Sequence, residues 1–312
     1  MGTTFQEIAV QMAPKQKVMI DTLTEEAPIL KNMPVEPSSH GLWNVYEELD
    51  SVTGADVVDL DSPLPNISSD SILQQKDLSV LGGKIKVGED KAKKFGGKEA
   101  YFAKKMPAIL HRTGMDMEAS VLYNGIRAYA YANRKVQFGG GTGSTNYSIL
   151  AVHWVSGEVT GLYDANGFGN GKAFDLAAMY GGNLFEDPAD NNILKYGMRI
   201  KTYFGLQLVN AKYVAAIVNC DIDNDSLASD GTRTFPTAKM IDKMLLDVRA
   251  GSNTKIYCHP AAKIHLGTAY KLEKLKTVPG DKNFDTGIEL WNGIPIETSY
   301  NFLFGTEAMV SS

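Results

Sequence analysis

Four short clusters carry residue types at spacings that could do chemistry. Gly139-Gly-Gly-Thr-Gly-Ser144 has the glycine density of a loop whose backbone N–H groups could cradle a phosphate. No lysine follows its last glycine, as a P-loop requires, and the strand-turn-helix context is missing, so a flexible turn is the better reading. Asp221-Ile-Asp-Asn-Asp225 alternates carboxylates as a calcium loop does. Ser226 stands where that loop needs glycine and Thr232 where it needs a bidentate glutamate, which favours a solvated loop over weak cation binding. Cys258-His259, with His265 further on, offers metal-ligating and nucleophilic groups. Adjacent strand side chains point to opposite faces and no third ligand stands out, so these read as packing residues. Lys91, Lys93, Lys94 and Lys98 form a basic patch, read first as a solvated face and second as a surface for DNA or an acidic neighbour. The five histidines are scattered without a motif, which gives an enzyme reading little to stand on. No catalytic, cofactor-binding or metal residue is assigned.

The elements around these clusters are legible in outline. Residues 1–40 contain Pro14, Pro28, Pro34 and Pro37, which predicts an extended arm with room for one short helix. Strand-like pieces at Leu42–Tyr46, Asp56–Leu60 and Gly83–Val87, separated by the proline- and serine-rich Ser62–Ser71, predict a long irregular hairpin. Such a ribbon has little core of its own and needs something packed against it. Lys98–Tyr131 has helical spacing, with Pro107, Gly114 and Gly125 expected to bend or interrupt it. Strands are predicted at Ser148–Val155, Tyr196–Tyr203 and Ala211–Cys220, the last apolar enough to be buried on both faces. Thr237–Val248 reads as an amphipathic helix with Gly251 past its end, and Ala261–Leu275 as another. Ile288–Trp291, Asn292-Gly293 and Ile294–Thr298 form a hairpin signal, because Asn-Gly accepts positive φ at both central positions. The class is α+β.

Composition sets the bounds. The 312 residues are 44% hydrophobic and 21% charged, enough to bury one or two cores. A net charge of −5 does not mark the whole chain as a nucleic-acid binder. Two widely separated cysteines, Cys220 and Cys258, suit a reducing interior. No segment approaches the length of a membrane span and no export signal opens the chain, so the expectation is a soluble, non-exported protein.

Several phrases, in their order, carry a resemblance. These are Ile29-Leu-Lys-Asn-Met-Pro34, Glu118-Ala-Ser-Val-Leu-Tyr-Asn-Gly125, Gly139–Ser144 running into Ser148-Ile-Leu-Ala-Val-His-Trp154, Val159-Thr-Gly-Leu-Tyr163, Asn219-Cys-Asp221 and Trp291-Asn-Gly-Ile-Pro-Ile296. Together they resemble the podovirus-type major capsid proteins of tailed bacteriophages, which share the Hong Kong ninety-seven capsid fold. The resemblance implies an N-terminal arm at 1–40, an extended loop at 41–97, and a peripheral domain at 98–149 with a spine helix at 98–134. It implies a mainly axial domain at 150–275, with a peripheral-domain helix near 237–248, and closing peripheral strands at 276–312. It further implies a non-enzymatic, cofactor-free subunit that self-assembles as pentamers and hexamers into an icosahedral head around double-stranded DNA. Partners would be a separate scaffolding protein, a portal and decoration proteins, with DNA met non-specifically at the inner face and no membrane, and assembly would take place in the host bacterial cytoplasm. Glycines at 139–143 and 167–171 are expected to help one chain fit five-fold and six-fold surroundings. An encapsulin-like compartment is the alternative within the same fold, and a soluble enzyme the alternative outside it.

Overall fold

A computed structural model of the chain describes residues 3–311 apart from 11, 13, 61, 170–173, 222–235, 271–274 and 279–287. The N-terminal segment holds three helices, α1 (Phe5–Ala9), α2 (Pro14–Thr24) and α3 (Pro28–Asn32), and a strand, β1 (Val35–Pro37). The extended-arm expectation is therefore corrected. Pro14 and Pro28 begin α2 and α3, where a missing N–H costs nothing and the fixed φ suits the first turn. Met19, Ile20, Leu23, Ile29, Leu30 and Met33 are buried, so this segment is part of the main core.

Strands β2 (Trp43–Thr53) and β3 (Ser68–Asp77) pair as the predicted hairpin. Asp56–Leu60 lies outside both strands, and Gly83–Val87 belongs instead to β4 (Ser79–Gly88), which pairs elsewhere. After α4 (Glu89–Lys94), helix α5 (Lys98–Ser120) runs through a π-helical stretch, Val121–Arg127, into α6 (Ala128–Ala132). The α-helix continues through Pro107 and Gly114, while Gly125 falls in the π-helical stretch, where the α-helical ladder is interrupted as expected. Pro107 lies on the exposed side of α5. Gly114 is buried against the backbone of Leu23, and the glycine there serves a close approach of α2 rather than a break.

The remaining elements are β5 (Val136–Phe138), β6 (Asn146–His153), β7 (Val159–Tyr163), α7 (Ala165–Gly169), β8 (Asp175–Ala178), β9 (Phe185–Asp187), β10 (Ile193–Leu208) and β11 (Val214–Asp221). They are followed by α8 (Ala238–Asp247), β12 (Thr254–Cys258), α9 (Pro260–Tyr270), β13 (Leu275–Val278), β14 (Ile288–Trp291), β15 (Ile294–Thr298) and β16 (Phe304–Glu307). Helix α9 thus ends before Leu275, which opens a strand. One sheet has the order β1-β7-β10-β4, with β8 and β9 also on β10; the other runs β13-β14-β15-β12-β6-β11-β5, with β16 on β6. Residues 150–275 are consequently split between the two sheets, and the closing strands join the sheet of β6, β11 and β12.

Alternation explains how the second sheet is buried on both faces. Leu150, Val152, Val214, Ala216 and Val218 join the main core with the N-terminal helices and α5. Ile149, Ala151, Ala215 and Ile217 point the other way, onto Ile241, Met244, Leu245 and Val248 of α8 and its end. Arg249, not Gly251, takes the left-handed conformation that stops α8. The Asn292-Gly293 turn has φ of 48° and 89°, as a type I′ hairpin requires. Gly293→Ala is expected to lower stability by about 1 kcal/mol, read as a drop in the urea midpoint, because an L side chain disfavours that φ.

Candidate assembly site

The hairpin leaves the body at a fixed base. Gly41 takes φ +75°, and a Cβ there would come 2.9 Å from the Asn166 side chain, so glycine is required at the exit. The Ser38 hydroxyl donates to the Gly41 carbonyl, the Leu78 N–H donates to Leu42 at 2.9 Å, and Asn44 Nδ2 donates to Gln207 Oε1 at 2.6 Å. The His40 ring stacks on Trp43 at 3.9 Å.

Beyond Tyr46 the ribbon stands in solvent on both faces. Val57 and Leu60 are fully exposed, Leu64 is 82% exposed and Ile67 66%, and Ile72 and Leu73 are exposed on β3. Residues 47–70 carry Glu47, Glu48, Asp50, Asp56, Asp59, Asp61 and Asp70 with no lysine or arginine. An apolar, acidic ribbon with a tight base and no core is built to be covered by something else.

A matching surface lies on the same chain. Helices α2 and α5 and the β8–β10 region enclose a groove of about 980 Å³ lined by Val18, Met19, Phe102, Met106, Leu110 and Leu176. Lys15 and Lys98 stand in its wall. From Lys84 to Arg112 there are nine lysine or arginine residues against three acidic ones. Among the patch lysines, Lys93 pairs with Glu89 at 2.7 Å, Lys91 lies over the Tyr101 ring, and Lys98 donates to the Gly182 carbonyl at 2.6 Å beside Tyr196. Lys91, Lys93 and Lys94 remain exposed.

The other sequence candidates resolve differently. Gly139–Ser144 leads into strand β6, not a helix, and Gly139 and Gly141 are closely packed while Gly140 and Gly143 are not. A Cβ at Gly139 would meet the Asn219 carbonyl at 2.8 Å and Cys220 Sγ at 2.9 Å, and the Gly139 and Gly141 N–H groups donate to Val218 and Asn219. Of the Gly139–Gly143 loop, Gly139 and Gly141 are thus held by the neighbouring strand while Gly140 and Gly143 stand free of close contacts; Gly167 and Gly169 fall in α7, and residues 170–171 lie outside the described residues. Of the Asp221–Asp225 cluster only Asp221 is described, accepting from the Thr145 hydroxyl at 2.8 Å; Asp223 and Asp225, with Ser226 and Thr232, lie outside. Cys258 is buried in the second core, and His259 and His265 both stack on Phe304, at 5.0 and 5.8 Å. Burial lowers the pKa of His259. Among the described residues no group of three His, Cys, Asp or Glu is placed to hold a metal ion.

Buried carboxylates went unread in the sequence: Asp187, paired with Lys86 and Lys195, Glu307 and Glu118. Arg127, in the π-helical stretch, pairs with buried Glu307, which also accepts from the Ser148 hydroxyl at 2.6 Å. Glu118 is fully buried on α5. Its signal was there: Leu110, Gly114, Glu118, Leu122, Ile126 and Ala130 recur every four residues along one helix face.

Comparison with known proteins places these features. A model of the family described as major capsid protein GP7 matches residues 118–311, more than half of the chain. A solved structure of bacteriophage Epsilon15 matches with a TM-score of 0.51 and 14% identity, covering 89% of this chain and 88% of the other. The capsid of bacteriophage JBD30 matches with a TM-score of 0.54 and 10% identity, covering 89% of this chain and 92% of the other. No curated protein matches the sequence. At these identities the structural likeness shows a shared fold, that of phage capsid subunits.

Proposed function

The chain belongs to the major capsid protein GP7 family, and on that premise we propose that it assembles as pentamers and hexamers into a closed icosahedral head around double-stranded DNA. It is a phage major capsid protein with the Hong Kong ninety-seven-type fold, a structural component of the virion. The finer reading includes a separate scaffolding protein, a portal and decoration proteins as partners, assembly in the host bacterial cytoplasm, and non-specific contact with DNA at the inner face. In that reading the subunit is not an enzyme and holds no cofactor. The body formed by α5 and the β1-β7-β10-β4 sheet is the peripheral domain and the β2–β3 hairpin is the extended loop; α8, expected from the sequence in the peripheral domain, packs on β6 and β11 and is assigned with the β6-β11-β12 sheet and α9 to the axial domain.

One observation carries the reading: the hairpin is apolar and acidic, and the α4–α5 face and its groove are basic and apolar. A single subunit leaves both uncovered. Laying the hairpin of one copy on that face of the next buries the apolar tip and pairs opposite charges, and repetition around a ring holds each subunit through several contacts at once. The ordering entropy of the tip is then offset by neighbours instead of by its own core.

Electron microscopy of the full-length protein, produced with and without a scaffolding protein from the same genome, tests this. Rings of five or six subunits or closed shells are the expected products, forming more slowly as salt screens the charge attraction. Small particles that never close, with scaffold supplied, would count against the shell reading.

A further inference from the structure

Helix α3 begins without a side-chain cap, because its N-cap residue is Ala27. The cap comes from 89 residues away. Glu118 Oε2 accepts the Ile29 N–H at 3.1 Å, and the carboxylate also receives the Leu30 N–H. Its other oxygen meets the Ser299 hydroxyl, and Asn301 adds a further donor. Asn301 in turn donates to the Glu26 carbonyl at 3.0 Å, which ties the turn after β15 to the start of α3. One carboxyl thus fastens the N-terminal segment and the C-terminal turn to the long helix.

The charged surroundings are sparse. Lys31 of α3 is exposed, Lys255 of β12 pairs with Glu297 at 3.0 Å, and Asp116 on α5 pairs with Arg112 at 2.9 Å. Tyr257, the titratable group of β12 that faces Glu118, receives the Trp154 indole N–H at 2.8 Å. His111 on α5 is engaged by Glu25 at 3.2 Å, and Tyr123 receives the Leu303 N–H. Among the described residues the carboxyl therefore sits with neutral donors and no cation that would hold it ionised.

We propose that Glu118 is a proton-operated clamp, its protonation state setting how firmly α3 and the Ser299–Asn301 turn are held on the long helix. The Ser299 hydroxyl makes both states workable. It donates to the ionised carboxylate; when the carboxyl is protonated, that proton is donated to Ser299 Oγ, which already accepts the Asn301 N–H at 3.1 Å. Burial pushes the carboxyl up to about 7, and the donors pull it only partway back. The folded chain therefore binds this proton more tightly than the unfolded chain. The clamp is tightest when protonated, and its contribution falls as pH rises from the ordinary carboxylate range through about 7.

The test is unfolding of the unassembled full-length subunit from about pH 5 to about pH 8, wild type beside Glu118→Gln, with amide exchange of the 27–33 region, corrected for intrinsic rates, as a local readout. The wild-type unfolding constant should rise by a factor on the order of tens relative to Glu118→Gln across that window, with exchange at Ile29 and Leu30 rising in step. Parallel pH profiles for the two proteins would overturn the proposal. Should Glu118→Gln fail to fold, infrared spectroscopy of the wild type decides. A protonated carboxyl band titrating near neutrality, with a higher midpoint in Ser299→Ala, supports the clamp; no such band supports a permanently ionised carboxylate and overturns it.

Discussion

Serine at Val57, Leu60, Leu64 and Ile67 together is expected to leave the subunit folded and to eliminate closed shells. In the single chain these side chains are between 66% and fully exposed, so none contributes to the core. Exposed substitutions of this kind change stability by about 0.5 kcal/mol or less each. Against a neighbour, each would bury an apolar side chain at roughly 1.5–3 kcal/mol. Losing even about 1.4 kcal/mol at one contact weakens it tenfold, and a closed ring repeats the loss at every subunit. Circular dichroism melts of the subunit, with sedimentation and microscopy of assembly mixtures, separate the two effects. Shells at wild-type yield would remove the hairpin tip from the interface, and a lowered subunit melt would place it in the subunit's own fold.

The charge half of that contact has its own signature. If the tip recognises the α4–α5 face, loss of the apolar side chains should leave a weak association that depends steeply on salt, because the acidic residues of 47–70 and Lys91, Lys93 and Lys94 remain.

What the sequence revealed follows from which interactions are local. The Asn292-Gly293 turn, the α8 stripe and the doubly buried β11 run were readable because turn chemistry, period 3.6 and continuous apolarity each act over a few residues. The prolines of the first forty residues misled because the same residue breaks a helix interior and starts a helix, and only register distinguishes Pro14 and Pro28 from a breaker. The hairpin's lack of a core was legible as composition. Its basic counterpart was visible as lysines, but the groove that accompanies them is made by α2, α5 and β10, elements distant in sequence, so no local pattern could announce it. Sheet membership is non-local for the same reason. β7 and β10 follow β6 along the chain, yet they pair with β1 and β4, and only the three-dimensional return of the chain decides this.

Gly114 joins the long helix to the misread arm, and Gly114→Ala is expected to damage both stability and assembly. In an exposed helix interior, alanine for glycine would gain about 1 kcal/mol. Here the new Cβ would run into the Leu23 carbonyl oxygen and lie 3.0 Å from its carbon, and both are backbone atoms of α2 that no rotamer change can move aside. Helix α2 must shift as a body, disturbing Met19, Ile20 and Leu23 in the main core. Overpacking of this kind costs about 1–3 kcal/mol and occasionally more, enough to exceed the helix-propensity gain. A lower urea midpoint with an unchanged slope is the expected result. Because α2 also forms one wall of the groove beside Phe102 and Met106, the displaced helix should lower shell yield even where the subunit is still folded. A variant as stable as wild type would mean that α2 does not seat against α5 through its backbone. A destabilised variant with normal shell yield would mean that the groove is not where neighbouring subunits meet.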